Sequence, residues 1–309
     1  MANFFKRLVV TATLGFVSAS PMFTYGSEIL VTIPSDSSTV TKDPWIKLLD
    51  KNLSQWGTYL SFAHEKTYKG QKPLNEKGEE LTPVGYNKNE KNVFTVLEEQ
   101  GEPVLKISGE IYGCAFTKNE YSNYHLKLKV KFGNKKYGPR IGKLNDSGIL
   151  YHSVGESGVD YWRSWMLSQE FQIMEGHTGD YWNIANSAID IRAYLSEGKM
   201  NNIANIKQPF LPFGTGSQDG FCLRSENHES PDGEWTSVEL LCFEGKSLHI
   251  VNGQVVMVLQ NSRYVENGQP KPLVKGKIQL QSEGSEVYFK DILIKNIDEF
   301  PQQYKAYFD

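Results

Sequence analysis

The sequence predicts an all-β protein, a sandwich of two antiparallel sheets of jelly-roll type. Three observations carry that expectation. Short segments alternate apolar and polar residues at the two-residue period of a strand, Gly-rich turns separate them, and convincing amphipathic helices are scarce. Many short strands closed by turns favour stacked sheets over any helical layer.

The elements follow in chain order. Lys6 and Arg7 precede an apolar run from Leu8 to Ala19 and then small residues, the pattern of a secretory signal cleaved after Ala19 or Gly26. A short amino-terminal core helix is the alternative for that stretch. Residues 43 to 53 offer a short helix, and residues 66 to 92, rich in Lys, Glu, Asn and Gly, read as a solvated loop. From Tyr124 to Phe132 apolar residues alternate with His125, Lys127, Lys129 and Lys131, a half-buried strand with a basic outer face. Residues 187 to 196 are a second helix candidate. Residues 197 to 234 gather Gly, Pro, Ser and Asn around Pro209-Phe-Leu-Pro-Phe213; such a long loop either rims a binding cleft or is a plain surface excursion. Trp235 to Phe243, Lys277 to Gln281 and Glu286 to Lys295 read as strands. Leu248 to Val258 reads as a hairpin, because Asn252-Gly253 suits the positive φ angles of a type I′ turn. The sequence holds no internal repeat.

With 309 residues, 39% hydrophobic and 12% aromatic, the chain can build one large core, so residues 27–309 read as a single domain behind a signal of residues 1–26. A net charge of −3, with acids and bases mixed throughout, gives no electrostatic footprint for nucleic acid or an anionic membrane. No run after the signal is long enough to span a bilayer, and no cysteine near it offers a lipid attachment point. A periplasmic or secreted soluble protein is the simplest reading. Cys114, Cys222 and Cys242 lie among apolar or aromatic neighbours and are expected to be buried as small hydrophobes, with a Cys222–Cys242 disulfide as the alternative.

Chemistry concentrates in Glu170-Phe-Gln-Ile-Met-Glu175. In a strand Glu170 and Gln172 share one face while Phe171 and Ile173 enter the core. Glu175 falls on the other face, and a β-bulge near Met174 would bring it back beside them. Two acids facing one cleft are the minimum equipment for acid and base work on a sugar. Around this strand stand Asp146-Ser-Gly-Ile-Leu-Tyr-His152, Trp162-Arg-Ser-Trp165 and Gly176-His-Thr-Gly-Asp180-Tyr-Trp182. Gly276-Lys-Ile-Gln-Leu-Gln281-Ser-Glu283-Gly284 follows near the carboxyl end. Trp162, Trp165, Tyr181 and Trp182 have flat faces suited to sugar rings or to core packing.

Together, residues 43 to 297 resemble the 3-keto-disaccharide hydrolase domain family. The resemblance rests on the combination of the Asp-Ser-Gly-Ile block, the E-x-Q-x-x-E strand and the L-Q-S-E-G strand. It implies a concanavalin- or laminarinase-like jelly roll in an exported enzyme acting on 3-keto-glycosides, with a functional link to a dehydrogenase that forms the 3-keto sugar. Glu170, Gln172 and Glu175 fall on the family's polar strand, and Gln281 and Glu283 on its late strand, where other members carry His in place of Glu283. His177 stands where an acid is expected.

In the implied chemistry a ketone at C3 acidifies the C2 proton, a base removes it, and the group at C1 leaves before water adds. Glu170, Glu175 and Glu283 are the candidate catalytic base and acid. His152, Trp165, Gln172, His177, Trp182 and Gln281 are the candidate substrate-binding residues. A divalent metal ion held by His152, His177 and Glu170 is a further option, although no spacing such as H-E-x-x-H supports it. Glu170 and Gln172 also fit the solvent face of an ordinary strand, and His152 fits a structural histidine. His64, His125, His228 and His249 read as structural or exposed, and Asp180 as a support or turn residue. Two other functions remain open. The strand resembles the E-x-D-x-x-E motif of laminarinase-type retaining endoglucanases with Gln172 in place of the central Asp, and the same sandwich also serves non-catalytic carbohydrate-binding modules.

Overall fold

The basic-faced alternation that begins at Tyr124 forms a long strand, Tyr124–Lys136, with Tyr124, Leu126, Leu128 and Val130 buried. The structure, a computed structural model, describes residues 44–309 apart from Ser196. The signal expected in residues 1–26 lies outside the described residues.

Among the described residues the strands form two sheets, one of twelve strands and one of eight. The larger runs Asn202–Ala204, Ser187–Leu195, Gln254–Glu266, Lys246–Val251, Thr236–Phe243, Tyr124–Lys136, Ser285–Asn296, Glu102–Ile107 and Phe94–Glu99. Ile46–Lys47, Phe210–Gly214 and Gln269–Pro272 pair beside that path. The smaller runs Phe221–Cys222, Tyr181–Ile184, Leu167–Met174, Asp146–Val154, Lys277–Ser282, Gly113–Thr117, Trp56–Leu60 and Gly85–Tyr86. Its strands pair antiparallel throughout. The protein is therefore the all-β, jelly-roll sandwich of two antiparallel sheets that the alternation predicts.

The core lies between the sheets. Ile149, Phe171, Ile173, Ile278 and Leu280 from the smaller sheet share one buried cluster with Leu126, Val130, Leu240, Val287 and Phe289 from the larger. Each such side chain contributes roughly 1.5–3 kcal/mol on burial, so the period-two pattern decides which face of a strand turns inward. The expected hairpin turns at Asn252 and Gly253, with φ of 46° and 79°.

Both helix candidates are corrected. Ser187–Leu195 is a strand: Ile189, Ile191 and Ala193 are buried while Asp190, Arg192 and Tyr194 are half-buried, and strands pair with it on both sides. Its β-branched isoleucines suit that pleated, packed position. Within 44–53, Ile46–Lys47 pairs with Ile294 and Leu293, and Leu48 and Leu49 enter the core. The expected loop 197–234 contributes three short strands. One of them, Phe210–Gly214, carries Pro212 where only Ser187–Leu195 pairs with it, an edge position that tolerates the missing N–H. All three cysteines are buried and free. No helix among the described residues is long and apolar enough to cross a membrane.

Candidate active site

The outer face of the smaller sheet carries the site. Glu170 and Gln172 point away from the core that holds Phe171 and Ile173. Strand register then lines up their neighbours: Trp182 lies opposite Glu170, Gly148 opposite Gln172, and Leu280 opposite Ile149, which brings Gln281 beside Gly148. Above them is a cleft of about 520 Å³, also lined by Arg140, Asp146, Asp160, Trp162, Trp165 and Glu283. A groove of about 420 Å³ opens on the larger sheet. Its charges are exposed and already paired, Lys47 with Glu102 and Lys129 with Asp291.

Gly148 lies beneath Glu170 and Gln281, two side chains that line the cleft. A Cβ there would run into Glu170 Oε1 and Gln281 Oε1, so two long side chains bend over the one residue that has none. Gln281 is buried, and neither its amide nitrogen nor its oxygen has a hydrogen-bond partner among the described residues. Gln172 Oε1, Asp146 Oδ1 and Arg140 Nε share that condition. Buried polar groups normally find partners, and four such residues around one cleft point to a ligand that supplies them.

Glu170 and Glu283 are only 4% and 5% exposed. Burial, then the Glu283 carboxylate, push Glu170 well above the usual carboxylate range, against the pull of the adjacent Gln281 amide and of Arg140. Burial raises Glu283 to about 7, and the Arg140 guanidinium restrains that rise. Arg140 Nη2 donates to Glu283 Oε1 at 2.8 Å and also contacts Asp146. Asp160 is raised by burial as well, opposed by the backbone N–H groups of Trp165, Ser164 and Trp162. These three donate to its carboxylate at 2.6, 2.8 and 2.6 Å. They fix the loop that brings Trp162 and Trp165 to one wall. Trp165 is buried, with Nε1 donating to Gly113 O at 2.9 Å. Trp182, which also lines the cleft, is 42% exposed and leans on Phe221, ring centroids 4.5 Å apart.

Residues 44–295 match the family model of the 3-keto-alpha-glucoside-1,2-lyase-like domain. The chain belongs to this family. Membership in the lyase-like family supports a carbohydrate-active function. No curated protein matches the chain. Among solved structures, one from Parabacteroides distasonis described as a candidate glycosyl hydrolase is 20% identical, with 82% of this chain and 94% of that chain covered and a TM-score of 0.43. A second of the same description and organism is 19% identical, with 82% and 100% covered and a TM-score of 0.45. A carbohydrate binding module from Bacillus subtilis is 8% identical, with 66% and 92% covered and a TM-score of 0.35. At these scores none of the three bears on the chemistry of the cleft.

In this lyase-like domain the cleft gathers Glu170, Gln172, Trp165, Trp182, Gln281 and Glu283 from the expected set. Glu175 does not join them. The strand ends at Met174 without the bulge expected there, and Glu175 turns to accept hydrogen bonds from Asn145 N and Nδ2 at 3.1 and 3.0 Å. His152 lies on the core side of the sheet, edge-on to Tyr124 and Tyr151, at the register shift between Tyr151 and Val154, and burial lowers it to about 4. His177 lines a separate groove with Glu175 and Glu229 and pairs through Nδ1 with Asp180 Oδ2 at 2.9 Å. The metal set of His152, His177 and Glu170 is therefore dispersed over three environments. Asp180 is a support residue, also accepting from Arg224 N and Nη1. Tyr181 is a core residue whose hydroxyl donates to Gln169 Oε1.

Arg140, Asp146 and Asp160 are site residues that sequence reasoning missed in the lyase-like domain. Asp146 opens the Asp-Ser-Gly-Ile block and lies two residues before Gly148, on the same face of its strand, which was a usable signal. Arg140 ends a short turn, Gly138–Arg140, that carries no chemical signature.

Proposed function

We propose that the protein cleaves 3-keto-glycosides by removing the C2 proton and eliminating the group at C1, with water added afterwards. The observation that carries this reading is the pair of buried carboxyl groups, Glu170 and Glu283, that line one cleft, of which only Glu283 is ion-paired with Arg140. Two buried carboxyl groups of which one alone faces a guanidinium suit the roles of acid and base.

Glu283, ion-paired with Arg140 and raised only to about 7, is the base. It takes the C2 proton, and the electron pair moves onto the C3 oxygen as an enolate. The amides of Gln281 and Gln172 donate hydrogen bonds to that oxygen. Glu170, whose burial favours the protonated form, gives its proton to the glycosidic oxygen as the C1–O bond breaks. A C1–C2 double bond remains. Water then adds its oxygen to C1 while Glu170 takes a proton from it, and Glu283 returns a proton to C2. Both acids are regenerated and the ketone is restored. The retaining-endoglucanase alternative needs Glu170 and Glu175 on one face, and they stand apart.

The test is product analysis on a 3-keto-glucoside and the matching unoxidised glucoside. Cleavage of the keto substrate alone is expected, with Glu283→Gln lowering turnover by about 10²–10⁴-fold while keeping a native circular dichroism spectrum. Equal cleavage of both substrates, or full activity of the variant, would overturn the reading. Saturable sugar binding without cleavage would instead indicate a binding module. The reading includes export and supply of the substrate by a dehydrogenase that oxidises C3; a mature amino terminus beginning after Ala19 or Gly26, found by mass spectrometry, tests the export.

A further inference from the structure

The groups around the cleft stand in a fixed order across the sheet. Trp182 is opposite Glu170 on one neighbouring strand, and toward the other side come Gly148, Gln281 and, past the strand end, Glu283 with Arg140. The acid thus lies between the aromatic ring and the base. With Glu283 acting at C2 and Glu170 at the glycosidic oxygen, the keto ring lies between these two acids, over Gln281, and the group leaving from C1 extends past Glu170 onto the indole. We propose that Trp182 is the platform for the leaving group, and that it makes the protein select ring-shaped aglycones, aromatic or pyranose, over short alkyl ones. This inference rests on the functional reading above.

Three features of Trp182 support it. The indole is 42% exposed at the mouth of a cleft whose reacting groups are buried. Phe221, its direct cross-strand partner, backs it at 4.5 Å with planes 40° apart, so the ring is held in place before any ligand arrives. Its flat face attracts another π system or the C–H face of a sugar, and offers little area to a methyl group. Trp165, in contrast, is 2% exposed, and its N–H is bound to Gly113 O, so it serves as packing.

The experiment compares kcat/KM for phenyl, glucosyl and methyl 3-keto-glucosides in the wild-type protein, Trp182→Ala and Trp182→Phe. Calorimetry of the phenyl and methyl compounds on Glu283→Gln, with and without Trp182→Ala, runs alongside. The ratio of ring-bearing to methyl substrate should be about tenfold or more in the wild type, fall toward one in Trp182→Ala and recover in Trp182→Phe. The phenyl and glucosyl arms separate an aromatic from a sugar preference. A ratio that Trp182→Ala leaves unchanged overturns the inference even where turnover upholds the functional reading. Absence of any turnover would sink that reading, and the platform would then stand or fall on whether phenyl binds more tightly than methyl only when Trp182 is present.

Discussion

Gly148 lacks a side chain where Glu170 and Gln281 occupy the space above it. Gly148→Ala should displace both and lower kcat by about 10²-fold with a native circular dichroism spectrum, since displacements near 1 Å are that costly to a reacting geometry. Wild-type turnover in that variant would show that the two side chains do not act from these positions. The acids predict a pH profile. Glu283, raised to about 7, must be ionised to act as base, so kcat/KM should fall on the acid side through an apparent pKa of about 7. Arg140 restrains that value, so Arg140→Met should move the acid limb to higher pH; a limb that stays in place would remove Glu283 from the base role. Glu170 and Gln172 were legible in the sequence because they alternate on one strand, while Gln281 and Glu283 were expected from the family resemblance. Arg140 was not, since it acts from a turn distant in sequence and the contact exists only in three dimensions.

The loop before Leu167–Met174 is organised by a single carboxylate. Asp160 accepts three backbone N–H groups and so presents Trp162 and Trp165 to the cleft. Asp160→Ala leaves those donors without their partner, at about 1–3 kcal/mol for each that stays buried, and should loosen the loop without unfolding the sheets. KM should rise more than kcat falls, and limited proteolysis should cut within residues 156–165; a variant as protease-resistant as the wild type would argue that other contacts hold the loop. Element type was legible wherever alternation was clean, as from Tyr124 to Phe132. It was not legible at Ser187–Leu195, where strands paired on either side decide the conformation of a short segment. The end of the Leu167–Met174 strand was equally hidden: Glu175 leaves the sheet because the chain turns there, a choice made with Asn145 on another strand's approach.

At the scale of the molecule, two buried acids on the outer face of a sandwich make folding stability depend on pH. Glu170 has its folded pKa raised, so its contribution is present below the unfolded carboxylate value and is lost as pH rises toward the folded value. Gln has no such dependence. The melting temperature of Glu170→Gln relative to the wild type should therefore increase from about pH 5 to about pH 8, with each kcal/mol appearing as about 2–4 °C. A difference that is flat or shrinks with pH would show that Glu170 is not a buried, reluctantly ionised acid. The sandwich itself tolerates this because its core, between the sheets, is apolar and separate from the cleft.

Within a strand, the side of the sheet on which a residue emerges is a local property with period two, so the sequence by itself determined the all-β class, the inward place of Phe171 and Ile173, and the outward pairing of Glu170 with Gln172. Which residues from different strands meet depends on register, on where each strand ends and on where a bulge falls. Tertiary structure alone therefore decided that Glu283 and Arg140 join Glu170, that Glu175 and His177 face another groove, and that His152 turns into the core.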